Sequence, residues 1–229
     1  MSKTLIEAIE GIGLPKDIIH HLAVYQNLAV YQNAVSHPLG QPAEEEVALC
    51  YTVGTLVFTE FKEGKKTERY GLLDMDLFNL DGAWNGHYLT IWQPQLPAGD
   101  DLGKVPVPEY TGPWDKVVKP IPPPHLRADS NASYEFRGNG GTGTGTIYAT
   151  GPANLLLTKL HSGGAVFQVS VAAYITGGTG DYEGVRGTNT ALGSSYVPSG
   201  VDINTVPLGT PIPGVTVSTF RFVRKKHQG

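Results

Sequence analysis

The chain has 229 residues, a formal net charge of −4 and a charged fraction of 17%. It has no basic run and none of the known nucleic-acid-binding motifs, so no nucleic-acid partner is expected. Its single cysteine, Cys50, excludes an internal disulfide, and no apolar stretch is long enough to span a bilayer. The N-terminus lacks the features of a signal peptide, so we expect a cytoplasmic protein that does not bind membranes.

Residues 1–40 predict an N-terminal helical extension. Thr4 and Glu7 have the spacing of a capping box. Leu5, Ile6 and Ile9 are expected on one face of the helix that follows. Two glycines then end this helix, and the proline after them suits the first turn of a second helix.

Residues 41–229 predict one antiparallel β-barrel domain. Segments rich in β-branched and aromatic residues recur along it, and Asp81-Gly82 is a hairpin signal between two of them. The predicted strands are 47–61, 68–80, 83–93, 132–137, 154–160, 165–176, 185–196 and 215–224. About eight strands is the number at which a barrel encloses a packed core or one small ligand.

Two segments interrupt the strand pattern. Residues 94–124 contain nine of the chain's 17 prolines, which cannot donate the hydrogen bonds of a central strand. We interpret this segment as a lid loop over one mouth of the barrel. Residues 197–214 are expected to form a second loop rich in proline and glycine.

The glycine-rich run at 138–146 has the composition of a phosphate-binding loop. It lacks the Walker lysine, no helix signal follows, and its spacing does not match GxGxxG. A hairpin with a β-bulge is therefore the favoured interpretation.

Two carboxylates interrupt the apolar strand at 68–80. Asp74 and Asp76 are two residues apart, so both lie on one face of the strand. Facing inward, they would be candidate catalytic residues, as a general acid or as anchors for substrate hydroxyls. Facing outward, they would form a solvent-exposed stripe while their apolar neighbours make the core, and this orientation is favoured.

Aromatic residues on the strands are candidate substrate-binding groups. Alternation along 83–93 puts Trp84, Tyr88 and Trp92 on one face, without deciding which face points inward. In a hollow barrel such a face would bind a flat or polyene-like substrate. In a filled barrel its side chains would be part of the hydrophobic core. Further candidate hydrogen-bond donors are Tyr51, Tyr148, Tyr174 and Tyr196.

The segment Tyr134-Glu-Phe-Arg137 also alternates. We expect Tyr134 and Phe136 on the core side of their strand. Glu135 and Arg137 would then form a salt bridge on the outside.

The common catalytic signatures are missing. The chain contains neither GxSxG nor HExxH, its seven histidines are scattered apart from one adjacent pair, and its lone cysteine offers no paired ligand set. We therefore predict no metal site, and a site assembled from several strands stays open without support from spacing.

The most distinctive segment is Ile-Thr-Gly-Gly-Thr-Gly-Asp-Tyr-Glu-Gly-Val-Arg-Gly-Thr, from Ile175 to Thr188. Its clustered glycines suit a sharp corner of a barrel. The segment resembles the GGTGxFxxxRG signature of dirigent proteins and, more loosely, the matching turn of allene oxide cyclases. Both belong to one family of small, calycin-like antiparallel β-barrels. The resemblance is looser over residues 47–196 and absent from the first forty residues.

This resemblance implies a cofactor-independent isomerase or cyclase of specialised metabolism. Its substrate would be a hydrophobic, conjugated intermediate that the barrel holds for stereoselective ring closure, such as a pericyclic reaction of the Diels–Alder type. The resemblance also implies a homo-oligomer and suggests that Arg186, the arginine of the signature, reaches the pocket as a catalytic residue. Its alternative role is to hold the glycine turn through backbone carbonyls.

Three other functions stay open at this point. The barrel could bind an apolar ligand without changing it. It could direct radical coupling as dirigent proteins do, although that chemistry is usually extracellular. A barrel filled with bulky aliphatic side chains would instead be a structural module.

Overall fold

The computed structural model describes residues 4–14, 45–63, 66–95, 125–159, 164–200 and 208–224. The predicted second helix, nearly all of the lid loop and the middle of the second loop lie outside these residues.

The N-terminal extension begins with helix α1, Leu5–Gly11. The predicted capping box is confirmed, because Thr4 Oγ1 accepts from the Glu7 amide and the Glu7 carboxylate accepts from the Thr4 amide. Leu5 and Ile9 pack against the barrel, but Ile6 is 69% exposed. The prediction for Ile6 is wrong because adjacent residues lie about 100° apart around a helix, which turns Ile6 away from the barrel.

Eight strands follow the helix. They are β1 (Glu46–Glu63), β2 (Lys66–Phe78), β3 (Trp84–Gln95), β4 (His125–Arg137), β5 (Thr144–Lys159), β6 (Ala165–Gly178), β7 (Arg186–Val197) and β8 (Ile212–Val223). Each strand pairs antiparallel with the next, and β8 closes the barrel by pairing with β1, with Cys50 opposite Ser218. The predicted fold class, an eight-stranded antiparallel barrel with an N-terminal helical segment, is confirmed.

Two strand boundaries differ from the prediction. Strand β4 begins at His125 rather than at residue 132. Strand β5 runs continuously through Gly151 and Pro152, where the prediction placed a break. Both residues pair with β4 but not with β6, so the missing N–H of proline costs no bond in the β6 ladder.

A β-bulge reorients the start of β3. Leu77 pairs with Gly86 and Phe78 pairs with Trp84, which leaves Asn85 as the extra residue. Gly86 has φ of 145°, and a Cβ there would collide with the backbone carbonyl of Glu135. Only glycine fits this position. The bulge turns Trp84 to the outer face, so the prediction that it shares a face with Tyr88 is wrong.

Two apolar clusters hold the fold together. The larger one fills the barrel interior with residues from all eight strands. The smaller one lies outside the barrel, where Ala8 and Leu14 cover Val53, Phe78 and Val215. Helix α1 therefore shields the outer surface of the β1–β2 and β1–β8 pairs from water.

The two ends of the barrel are named by their connections. The turn end carries the short turns at 79–83, 138–143 and 179–185, and the predicted hairpin at Asp81-Gly82 is confirmed there. The glycine-rich run at 138–146 is confirmed as a hairpin connection containing a 3-10 turn, Asn139–Gly141. At the opposite end of the barrel, which we call the loop end, β3 ends at Gln95 and β7 ends at Val197.

Candidate functional site

The middle of the barrel interior, as far as the structure describes its side chains, carries no charge. We consider the inward-facing positions from Ala48 to Phe58 on β1 and those at the corresponding levels of the other strands. Where the structure describes their side chains, none of them is Asp, Glu, Lys, Arg or His. Polar groups inside the barrel are neutral hydroxyls, amides, one thiol and one indole. Because desolvating an ion is costly, this interior suits a neutral ligand.

An aromatic plug fills the interior towards the turn end. Its members are Tyr134, Phe136, Tyr182, Phe220 and Phe222, each at most 2% exposed. Successive ring centroids lie 4.7 to 5.9 Å apart in tilted and edge-to-face contacts. We infer that the turn end does not open freely into the interior.

The opposite part of the interior is lined by small side chains on β4, β5 and β6. This small-residue wall consists of Ser130, Ala132, Ala149, Ala153 and Ala173. Ala132 faces inward in the middle of β4 yet remains partly accessible, and Val171 beside the wall is 8% exposed. Ser130, Ala149 and Ala153 are as buried as the plug, at most 2% exposed, so the accessible surface of the wall lies on Ala132 and Ala173.

A set of interior polar groups, called the polar floor, adjoins the plug and consists of Tyr88, Tyr134, Asn189 and Ser218. The Tyr134 hydroxyl donates to Asn189 Oδ1 at 3.2 Å and lies 3.3 Å from Ser218 Oγ. Tyr88 stacks on Tyr134 with ring centroids 4.5 Å apart. The floor therefore joins β3 and β4 to β7 and β8 through hydroxyl and amide groups.

Burial keeps the floor protonated. Desolvation raises the pKa of Tyr88 to about 12, against smaller opposing effects of hydrogen bonds to Thr90 and Tyr134. Desolvation also raises the pKa of Tyr134 well above its usual value, and that of the Cys50 thiol in the same cluster. These groups are neutral at physiological pH, so they can donate hydrogen bonds to a ligand oxygen but cannot act as ready bases.

Trp92 lies on the same face of β3 as Tyr88, four residues nearer the loop end. It is 3% exposed, and its Nε1 finds no hydrogen-bond acceptor among the residues that the structure describes. A buried N–H without an acceptor costs roughly 1–3 kcal/mol.

A second concave region lies outside the plug, at the turn end. It has a volume of about 420 Å³, and its lining includes Glu46, Asn79, Thr142, Tyr182 and Arg224. Arg224 pairs with Glu46 at 3.0 Å and stacks on the Tyr182 ring, 4.8 Å from its centroid. Its charge is therefore already matched within the protein.

Sequence reasoning placed the candidate catalytic carboxylates on one face of β2, and they do share a face. That face is the outer one, the favoured interpretation, with Leu73, Met75 and Leu77 inside. Asp74 Oδ1 accepts from His87 Nε2 at 2.6 Å with its side chain 65% exposed, and Asp76 accepts from the Trp84 indole at 3.2 Å. Neither carboxylate lines the interior.

Arg186 is exposed at the start of β7. Its Nη1 donates to the backbone carbonyls of Thr176 and Val185 at 3.1 and 2.9 Å. These bonds tie the two sides of the turn at 179–185 together, which is the alternative role considered from the sequence. Its predicted catalytic role stays a prediction.

The seven candidate substrate-binding aromatics divide into three groups. Tyr88 and Trp92 face the interior. Tyr51, Trp84 and Tyr196 pack in the outer cluster with helix α1. Tyr148 and Tyr174 lie on the outer surface, 43% and 70% exposed. Only the first pair is positioned to contact a ligand inside the barrel.

Sequence reasoning missed the polar part of the floor. Asn189 and Ser218 lie in ordinary Thr-, Ser- and Ala-containing strands, and nothing in their local pattern marks them. Tyr134 was predicted to face the core, together with Phe136, and both are confirmed there. The predicted salt bridge outside them is also confirmed, with 2.7 Å between Arg137 Nη2 and Glu135 Oε1.

Within the described ranges, no helix is long and apolar enough to cross a membrane. The same residues contain no group of three or more His, Cys, Asp or Glu side chains close enough together to hold a metal ion.

Comparison with known proteins finds no matching family model and no matching curated protein. Among solved structures, the chain is similar to the pterocarpan synthase dirigent protein PsPTS1, with 15% identity and a TM-score of 0.42 over 81% of this chain and 99% of that one. It is also similar to the pterocarpan synthase dirigent protein GePTS1, with 12% identity and a TM-score of 0.41 over 83% and 92%.

Proposed function

We propose that this protein binds a neutral, hydrophobic, conjugated small molecule inside the barrel and promotes its stereoselective ring closure without a cofactor. The proposal rests on the composition of the barrel interior. An uncharged interior combines a wall of small side chains with a floor of buried, protonated phenols.

Confinement supplies most of the expected rate enhancement. A flexible molecule held against the small-residue wall loses its unreactive conformers before reaction, and this removes much of the entropic barrier. Ring closures of the pericyclic type need no proton transfer, so an interior without a charged acid or base can accommodate them.

Tyr88 is the residue proposed to polarise the ligand. Its hydroxyl belongs to the floor and stays protonated because its pKa is about 12. A hydrogen bond from this hydroxyl to a ligand carbonyl would strengthen as negative charge grows on the oxygen during reaction. The structural neighbours act in pterocarpan synthesis by name, and a cyclisation role for this chain is consistent with that.

The experiment uses 1,7,9-decatrien-3-one, a neutral linear ketone that closes to a bicycle by itself. The protein is incubated with it, and product amount and enantiomeric excess are measured by chiral chromatography. We expect faster closure and an excess of one enantiomer. Tyr88→Phe should reduce both, whereas Leu89→Phe, on the outer face of the same strand, should not.

Racemic product at the uncatalysed rate, despite bound ketone, would contradict the cyclase proposal and favour a carrier. No binding of the ketone at all would contradict both small-molecule functions. Equal loss in the Tyr88→Phe and Leu89→Phe variants would remove Tyr88 from the account.

A further inference from the structure

We infer that the ligand carries a neutral oxygen acceptor, a carbonyl or an ether, and that the indole N–H of Trp92 is the group that recognises it. This inference deepens the proposed function and rests on it. Trp92 would be a specificity-determining residue, contacting the ligand at a different level of the barrel from Tyr88.

The first support is the unpaired donor. Trp92 is 97% buried, and its Nε1 has no acceptor among the described residues. Buried polar atoms are nearly always hydrogen-bonded in folded proteins, so an unpaired donor inside the barrel points to a partner that is not part of the chain. By contrast, the indole of Trp84, outside the barrel, is already paired with Asp76.

The second support is the orientation of the indole. A Cβ at Gly71 on β2 would lie 3.5 Å from Cε3 of Trp92. Nε1 lies on the opposite edge of the ring from Cε3, so it is turned away from β2. Ser130, a member of the small-residue wall, is the cross-strand neighbour of Trp92 on β4. The donor edge is therefore not the part of the ring that meets Gly71.

The third support is the charge and polarity of the surroundings. Ser130 Oγ and Thr90 Oγ1 lie 3.2 Å apart, and Thr90 also donates to the carbonyl of Asn131 at 2.9 Å. These hydroxyls satisfy each other and the backbone, which leaves the indole as the donor in need of an acceptor. A neutral oxygen suits it better than a carboxylate, because no cation is present among the described interior side chains to offset a buried negative charge.

The position of Trp92 adds a length requirement. Trp92 lies four residues after Tyr88, so their Cα atoms are about 13 Å apart along β3. A ligand that touches both donors must therefore be elongated, or it must carry acceptors at two levels.

The test uses a matched pair of rigid probes, 9-fluorenone and fluorene, which differ in one carbonyl oxygen. Affinities are measured by isothermal titration calorimetry on the full chain. Indole resonances are followed by ¹H–¹⁵N NMR, and that of Trp92 is assigned by elimination with Trp84→Phe and Trp114→Phe. We expect the ketone to bind about tenfold more tightly than the hydrocarbon. The Trp92 indole proton should shift downfield with the ketone alone, while that of Trp84 stays in place.

In Trp92→Phe the two probes should bind alike. Equal binding of both probes to the wild type, with an unmoved Trp92 resonance, would overturn this inference and leave the proposed function standing. Failure of both probes to bind would overturn the proposed function and this inference with it. Because the resonance is read in the unmodified protein, the test does not depend on the variant folding.

Discussion

Tyr134 on β4 donates a hydrogen bond across the barrel to Asn189 on β7, with 3.2 Å between the phenol oxygen and Oδ1. The two strands are three apart in the barrel order, so the bond spans the interior and does not follow its wall. The Asn189 amide in turn donates to the carbonyl of Thr219 on β8 at 3.3 Å. We call these two hydrogen bonds the polar strut. It crosses the interior at the level of the Tyr134 hydroxyl, beside the aromatic plug.

Removing the phenol hydroxyl should weaken the strut. We expect Tyr134→Phe to lower the free energy of unfolding by about 1–3 kcal/mol, because Asn189 Oδ1 is left buried without its donor. Urea denaturation measures the change. Tyr174→Phe is the matched control, since Tyr174 is 70% exposed and should change stability by no more than about 0.5 kcal/mol. Equal effects of the two variants would show that the strut contributes nothing.

The buried phenols predict a loss of stability in alkali. In the unfolded chain a tyrosine releases its proton near pH 10, whereas folded Tyr88 keeps its proton up to about pH 12. Its contribution is therefore complete below pH 10. Between pH 10 and 12 it falls by about 1.4 kcal/mol per pH unit as the unfolded state loses protons that the folded state retains.

Chemical denaturation at a series of pH values measures this slope. Tyr88→Phe should make the slope shallower between pH 10 and 12 while Tyr134 still contributes to it, and Tyr174→Phe should leave it unchanged. A slope unchanged by Tyr88→Phe would mean that this phenol titrates normally in the folded protein.

The bulge at the start of β3 makes Gly86 sensitive to substitution. We expect Gly86→Ala to cost several kcal/mol, because the new methyl group meets the carbonyl of Glu135 and φ is positive. Gly11→Ala is the control, since a Cβ there has nothing within 4 Å and alanine suits the last turn of α1. Thermal denaturation should separate the two variants widely, and similar melting temperatures would contradict the bulge geometry.

The outer-surface candidates can be tested separately from the interior. Arg186→Ala should destabilise the fold by about 1–3 kcal/mol, because two backbone carbonyls lose a charged donor. Asp74→Asn should leave both stability and the enantiomeric excess with decatrienone nearly unchanged, because Asp74 faces solvent. A folded Asp74→Asn protein that forms racemic product would instead support the catalytic role predicted from the sequence.

Much of the fold was predictable from local patterns. Alternation in the segment from Tyr134 to Arg137 correctly separated core from surface, and the glycine at position 82 correctly marked a turn. The orientation of Trp84 was not predictable, because a one-residue bulge at Asn85 reverses the alternation without changing composition. Glycine is needed at position 86 because β4 approaches it closely, and that is a tertiary contact.

The site was predictable only in part. Tyr88 and Trp92 stood out as aromatic residues on one strand face. Asn189 carries no local signal, since an amide in a strand becomes notable only when a phenol from a distant strand reaches it. Which face of β2 lines the barrel was likewise left open by the spacing of Asp74 and Asp76, and burial of the apolar neighbours decided it.

The most direct test of the central claim, an accessible neutral interior, is titration of Nile red, an uncharged apolar dye, into three proteins. Ala173→Phe fills the small-residue wall, and Ala172→Phe places the same side chain on the exposed outer face one residue away. We expect saturable binding at one site in the wild type and in Ala172→Phe, and loss of binding in a folded Ala173→Phe protein. Equal binding in all three would place the dye outside the barrel, and no binding in any of them would mean that the interior is closed to ligands.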